Sequence, residues 1–96
     1  MEFEEVKEKI LPLLKDNPVE YAGVFGSVAR GEARSDSDVD ILVKFKGLPT
    51  FAAYLKLDDG IRKTLNRDVD LLTEGSVNKH LRPFIERDLR IIYGQR

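Results

Sequence analysis

Residues 26–43 read GSVARGEARSDSDVDILV, and no other part of the chain constrains the architecture as tightly. Successive side chains of a strand point to opposite faces, so the segment DVDILVKF, Asp38 to Phe45, sets Asp38, Asp40 and Leu42 on one face and Val39, Ile41, Val43 and Phe45 on the other. The apolar face needs a core and the acidic face needs a reason. Just upstream, VEYAGVF from Val19 to Phe25 has the β-branched and aromatic content of another strand, which Gly26 ends. SVARG has room for one or two helical turns beginning near Ser27, followed by a polar loop through Ser37. For Ser27 to share a site with Asp38 and Asp40, these two strands must run antiparallel.

The flanking segments extend the alternation of helix and strand. Phe3, Val6, Ile10, Leu13 and Leu14 recur at helical spacing, with Pro12 predicted to kink or divide that first helix because it lacks an N–H and its ring crowds the preceding turn. Phe51, Tyr54, Leu55, Ile61 and Leu65 outline another helix, with Thr50 as its N-cap and Asp58, Asp59 and Gly60 weakening its middle. DVDLLT, Asp68 to Thr73, reads as the third strand. Leu81, Phe84, Ile85, Leu89 and Ile92 give the stripe of a last helix that Gly94 terminates. The predicted order is αβαβαβα: an α/β (α+β) fold with a small three-stranded mixed sheet, about four helices and one domain over residues 1–96.

Composition narrows the function classes. Net charge is −1, without the basic excess that tracks a nucleic-acid backbone, so no stable long nucleic-acid partner is expected. The charges read as a solvated mixed surface, with Lys79, Arg82, Arg87 and Arg90 near the C-terminus as a group that could face an acidic partner. The chain has no cysteine, which removes disulfides and thiolate metal sites. No apolar run approaches a membrane span, and the N-terminus is charged from its second residue, so a cytoplasmic setting is expected.

Asp38 and Asp40 carry the chemistry. Two carboxylates on one strand face raise each other's pKa and cost stability unless a cation or donors compensate them; solvated aspartates or an Asx turn within SDSD is the competing reading. Magnesium suits such a place, since it takes one or two carboxylates and completes its shell with water and substrate phosphates. Gly26-Ser27, at a strand end, lets the backbone come close to a phosphate while N–H groups and the serine hydroxyl donate. A crossover helix can set the third strand beside the second, so that Asp70 joins the pair. Asp68 shares a face with Asp70, but Asp70 lies further inside the strand, between Val69 and Leu71. Three converging carboxylates can hold two metals bridging a nucleotide's phosphates. The lone His80 reads as a surface or capping residue, and Tyr54 and Tyr93 as packing residues.

The run Gly26-Ser27-x-Ala29-Arg30-Gly31, five intervening residues, then Ser37-Asp38-x-Asp40 with Ile41-Leu42-Val43, and the later Val69-Asp70-Leu71, resembles the minimal nucleotidyltransferases of the DNA polymerase beta-like superfamily. The resemblance implies that Gly26 and Ser27 cradle the terminal phosphates of a nucleotide. It implies further that Asp38 and Asp40 ligate magnesium, that Asp70 completes the metal and catalytic site, and that Arg30 supports phosphate charge or braces the loop. ATP would be the donor, two Mg2+ ions the cofactor, and AMP the group moved to a hydroxyl, with pyrophosphate released. Proteins of this kind occur with a HEPN ribonuclease toxin, so the resemblance also implies an antitoxin that modifies a toxin tyrosine. Two other functions compete: a non-catalytic module that masks its partner by contact, and nucleotidyl transfer to a small-molecule hydroxyl.

Overall fold

The computed structural model describes residues 1–96. Its elements are α1 (Phe3–Asp16), β1 (Val19–Phe25), α2 (Gly26–Arg30), β2 (Val39–Phe45), α3 (Phe51–Leu65), β3 (Val69–Thr73), a 3-10 turn (Glu74–Ser76), α4 (Arg82–Asp88) and β4 (Arg90–Gly94). The sheet is mixed, in the order β3-β2-β1-β4. β1 runs antiparallel to both β2 and β4, as a site shared by Ser27, Asp38 and Asp40 requires for the first pair, while β2 and β3 are parallel across the α3 crossover.

The fourth strand corrects the expected three-stranded sheet. The helical stripe starting at Leu81 ends at Asp88, and Arg90–Gly94 pairs with β1 instead, Ala22 opposite Tyr93 and Val24 opposite Arg90. Ile91, Ile92 and Tyr93 are strand formers, and β1 would otherwise leave one row of backbone groups unpaired. Gly94 accordingly ends a strand and not a helix. Its φ is +72°, and a Cβ there would lie 2.0 Å from the Glu20 carbonyl oxygen, so only glycine lets this edge close. Both remaining helices tolerate their weak points. α1 is continuous through Pro12, and α3 is continuous through Asp58-Asp59-Gly60. Asp58 pairs with Arg62 and Asp59 with Lys63, each one turn apart. Thr50 caps α3 as expected, its Oγ1 accepting from Ala53 N at 3.0 Å.

Strand alternation sorts the sheet's faces. Val39, Ile41, Val43 and Phe45 join Val6, Ile10 and Leu14 of α1 and Leu57, Ile61 and Leu65 of α3 in the main core. Leu42 lies on the opposite face, in a smaller cluster with Tyr21 and Ile85 of α4. Thus α1 and α3 cover one face, while α4 covers part of the other and leaves its Asp40 end open. β3 is an edge strand, and α3 covers its carbonyls: Tyr54 Oη donates to Leu71 O at 2.7 Å and Arg62 Nη2 donates to Val69 O. No helix is long and apolar enough to cross a membrane.

A charged network fastens the C-terminus to this second face. Glu74 accepts hydrogen bonds from the Tyr21 hydroxyl, from Arg82 (2.9 Å) and from Arg96 (3.3 Å), and Glu86 pairs with both arginines. Burial pushes the Glu74 carboxyl up, but these donors together outweigh it and hold it down at about 2. Burial, with the bond to Glu74, pushes the Tyr21 hydroxyl up to about 12. Glu74→Ala takes the only acceptor from the Tyr21 hydroxyl and leaves Arg82 and Arg96 with Glu86 as their only carboxylate. It is expected to cost about 2–3 kcal/mol in urea-induced unfolding at neutral pH, whereas loss of an ordinary surface ion pair costs under about 1 kcal/mol.

Candidate active site

The site forms where β1 ends and β2 begins. Phe25, the last residue of β1, is the cross-strand partner of Asp40, so Gly26 leaves the sheet directly beside that carboxylate. Gly26 has φ +72°, and a Cβ on it would sit 2.2 Å from Asp40 Oδ2. The backbone there occupies space that any side chain would take from the aspartate. Ser27 follows as the second residue of α2, half-buried, and the helix stops at Gly31, whose φ is +74°. On the other side of Asp40, the parallel register sets Asp70 directly next to it. Two carboxylates on adjacent strands at the same height are thus a product of topology, about 5 Å apart along the hydrogen-bonding direction at their backbones.

The cleft they share holds about 250 Å³ and is lined by Phe25, Gly26, Arg30, Asp40, Asp70, Leu72, Leu81, Phe84, Ile85, Arg87 and Asp88. Its walls differ in charge: carboxylates on β2 and β3, guanidinium groups on α2 and α4. Asp40 is half-buried while Asp70 is exposed. Burial, then the charges of Asp70 and Asp38, push the Asp40 carboxyl up to about 6, against a smaller opposing pull from Arg30. A carboxylate so placed is held at a cost that a cation would remove.

Asp38 is the one acidic residue the structure sets apart. It precedes β2 by one residue, is exposed, and lines a neighbouring polar pocket of about 510 Å³ with Ser35, Asp36, Ser37, Arg62, Asn66, Arg67 and Asp68. Arg67 braces this segment by donating to the carbonyl oxygens of Arg34 (3.2 Å) and Ser37 (3.4 Å). Asp68 is also on that side, almost fully exposed at 87% and 3.6 Å from Arg62, so Asp70 and not Asp68 enters the cleft. No three acidic or imidazole side chains converge as a finished metal cage, and the site pairs Asp40 with Asp70 more closely than either with Asp38.

Arg30 faces the cleft and is held by two acids, Glu32 Oε2 at 3.1 Å from Nε and Asp88 Oδ2 at 2.7 Å from Nη1. Sequence reasoning missed the α4 contribution of Leu81, Phe84, Arg87 and Asp88. Leu81 and Phe84 fell on an apolar stripe, yet they are 48% and 61% exposed and rim the cleft. A short helix that ends in a strand has no full buried face, and only the turn to β4 shows this. His80 is exposed, its backbone N–H donating to Asn78 Oδ1, which also accepts from Leu81 N at the entry to α4.

Comparison with known proteins places this arrangement. The chain is 40% identical over 92 residues to the candidate protein adenylyltransferase MJ1379 of Methanocaldococcus jannaschii, covering 92% of each. It is 38% identical over 71 residues to the protein adenylyltransferase MntA of Thermococcus cleftensis, covering 74% of this chain and 72% of that one. The fold superposes with a TM-score of 0.80, at 27% identity, on a crystal structure of a toxin–antitoxin with AMP-PNP, over 94% of this chain and 74% of the other. The family described as polymerase beta nucleotidyltransferase matches residues 8–96, which include both strands that meet at Asp40 and the strand that brings Asp70 beside it. By sequence and by fold the chain belongs to that family, and it is a nucleotidyltransferase of the protein adenylyltransferase class.

Proposed function

We propose that residues 1–96 form one minimal, cytoplasmic, magnesium-dependent adenylyltransferase domain. It acts as an antitoxin by moving AMP from ATP to a tyrosine hydroxyl of a HEPN-class ribonuclease toxin. The observation that carries the reading is the placement of Asp40 beside Asp70 with the Gly26 backbone pressed against Asp40. The adenine donor and a toxin partner are supported by the similar toxin–antitoxin structure that holds AMP-PNP, and the transfer of AMP to a protein by the protein adenylyltransferase MntA.

The donor set fits magnesium at the cleft, where Asp40 and Asp70 offer adjacent hard oxygen ligands and Asp40 sits among like charges at a pKa of about 6, while Asp38, which lines the neighbouring pocket, adds its charge from the start of the same strand. Two Mg2+ ions held by these aspartates would neutralise phosphate charge, align the donor and make the acceptor hydroxyl more acidic. The chain's own groups do the rest. Gly26 gives the terminal phosphates close approach to the backbone, Ser27 donates to them, and Arg30 adds positive charge on the cleft wall. Asp70, exposed beside Asp40, accepts the proton of the incoming hydroxyl. The acceptor oxygen forms a bond to the α-phosphorus, the bond from that phosphorus to the α,β-bridging oxygen breaks, and pyrophosphate leaves with the electron pair. Catalysis rests on alignment and charge stabilisation, without a covalent enzyme intermediate.

The apolar rim fits an acceptor presented by a protein surface better than a free sugar or aminoglycoside. Leu81 and Phe84 leave large apolar area exposed next to the carboxylates, which a polar small molecule would not cover. Phe84→Ser is expected to lower kcat/KM for the toxin acceptor about tenfold or more, with a much smaller change in the Kd for Mg·AMP-PNP. The reading as a whole is tested by supplying each nucleoside triphosphate in turn, labelled at the α-phosphate, with magnesium and a HEPN-class partner. Label on the partner from ATP, lost on chelation of the metal, is the expected result. Label from no donor contradicts it.

A further inference from the structure

Arg30 faces a choice of anions. It lines the same cleft as Asp40 and Asp70, and a guanidinium fork is shaped for two-point pairing with a carboxylate. Yet it forms no ion pair with either of them. Its Nη1 is instead 2.7 Å from Oδ2 of Asp88, 58 residues away at the end of α4, and its Nε is 3.1 Å from Glu32. The other oxygen of Asp88 is 3.4 Å from Nε of Arg87, the second cation of the cleft. The Asp88 side chain is only 9% exposed, against 66% for Glu32, so of the two acids Asp88 is the one shielded from solvent, between the Arg30 and Arg87 guanidinium groups. An exposed ion pair has little hold on geometry, whereas a nearly buried acceptor has more.

We propose that Asp88 is a positioning residue that keeps the guanidinium of Arg30 off Asp40 and Asp70, so that the carboxylates stay free for the metal while Arg30 stays available to the phosphates. The inference rests on the reading of this cleft as the metal–nucleotide site. Without Asp88, the nearest acids across the cleft are the two that must hold the cation, and Arg30 closing onto them excludes metal and triphosphate together. Removing Arg30 then removes the reason for Asp88, which separates this role from a purely structural one.

The test is a binding cycle with Mg·AMP-PNP on the full chain, with melting temperature recorded for each variant. Asp88→Asn is expected to weaken binding about tenfold, Asp88→Glu to restore most of it, and Asp88→Asn in an Arg30→Ala background to cause no further loss. Unchanged or tighter binding by Asp88→Asn, no rescue by Asp88→Glu, or an equal loss with and without Arg30 overturns the proposal. If Asp88→Asn fails to fold, Asp88→Ser with and without Arg30→Ala supplies the same comparison. Asp40→Asn reports on the underlying reading: if it binds Mg·AMP-PNP as the parent does, the cleft is not the metal site, whereas loss on Asp40→Asn with none on Asp88→Asn overturns only the role of Asp88.

Discussion

Asp40→Asn is expected to lower nucleotidyl transfer about a thousandfold or more and, in the same molecule, to stabilise the metal-free fold above pH 6. The two effects have one origin. Asp40 is a carboxylate that burial and the charges of Asp70 and Asp38 push from 3.8 up to about 6. Between those values the folded chain binds a proton that the unfolded chain does not, so stability rises as pH falls through 6 towards 3.8 and is lost again as Asp40 ionises on the way up. Asparagine removes the ionisation, and the variant gains on the order of 1–2 kcal/mol near neutral pH. On the proposed reading, magnesium would act on the same strain by supplying the missing positive charge. It is expected to raise the melting temperature of the parent at about pH 8 and to do so far less for Asp40→Asn. Glu74 works in the opposite direction and in a lower window. Its carboxyl is held at about 2, so its contribution is complete above 4.5 and disappears as pH falls from there through 2. Metal-free stability, measured by denaturant unfolding across this range, should peak where the two windows meet, with the limb above it flattened in Asp40→Asn and the limb below it flattened in Glu74→Gln.

Gly26→Ala is expected to cost about a hundredfold in kcat and about 1–3 kcal/mol of stability. Two penalties coincide at this position. The left-handed backbone, φ +72°, disfavours any Cβ, and the Cβ would stand 2.2 Å from Asp40 Oδ2. Something must move, and either the aspartate swings from its place beside Asp70 or the start of α2 retreats from it. Gly31 separates the two contributions. Its φ is +74°, but nothing lies within 4 Å of its missing Cβ, so Gly31→Ala carries the backbone penalty alone. A stability loss in both variants with a catalytic loss only in Gly26→Ala is the pattern expected from urea unfolding and steady-state transfer rates.

The sequence showed the acidic side of this site more fully than its basic side, for reasons that lie in the physics of the elements. Strand alternation is local, so the sharing of one face by Asp38, Asp40 and Leu42 was readable from eight residues. The antiparallel relation of β1 and β2 followed from the demand that Ser27 share a site with Asp38 and Asp40, and the observed antiparallel register, with Phe25 opposite Asp40, has that direction. Placing Asp70 required only a parallel crossover and a preference for the strand interior over the strand start. The last sixteen residues were different. Leu81, Phe84, Ile85, Leu89 and Ile92 fit a helical period, but Leu89 to Tyr93 fit a strand as well, and the choice is made by the unpaired edge of β1, which lies far away in sequence from every residue it recruits, Val24 opposite Arg90 being the nearest pair. Because α4 is therefore short, its Phe84 is exposed and its Asp88 reaches Arg30, and neither contact has a local sequence sign. Asp38 shows the reverse limit. Alternation sets its side with Asp40, but the chain leaves the sheet at that residue, and its side chain lines the adjacent pocket.

The central claim is that Asp40 and its neighbours transfer AMP to a protein hydroxyl, and the intact mass of a HEPN-class partner tests it most directly. After incubation with ATP, magnesium and the parent chain, the partner should gain the mass of at least one AMP on tyrosine and lose its ribonuclease activity; with Asp40→Asn it should remain unmodified and active. A partner silenced by Asp40→Asn without any gain in mass, or modified equally by both chains, contradicts the account.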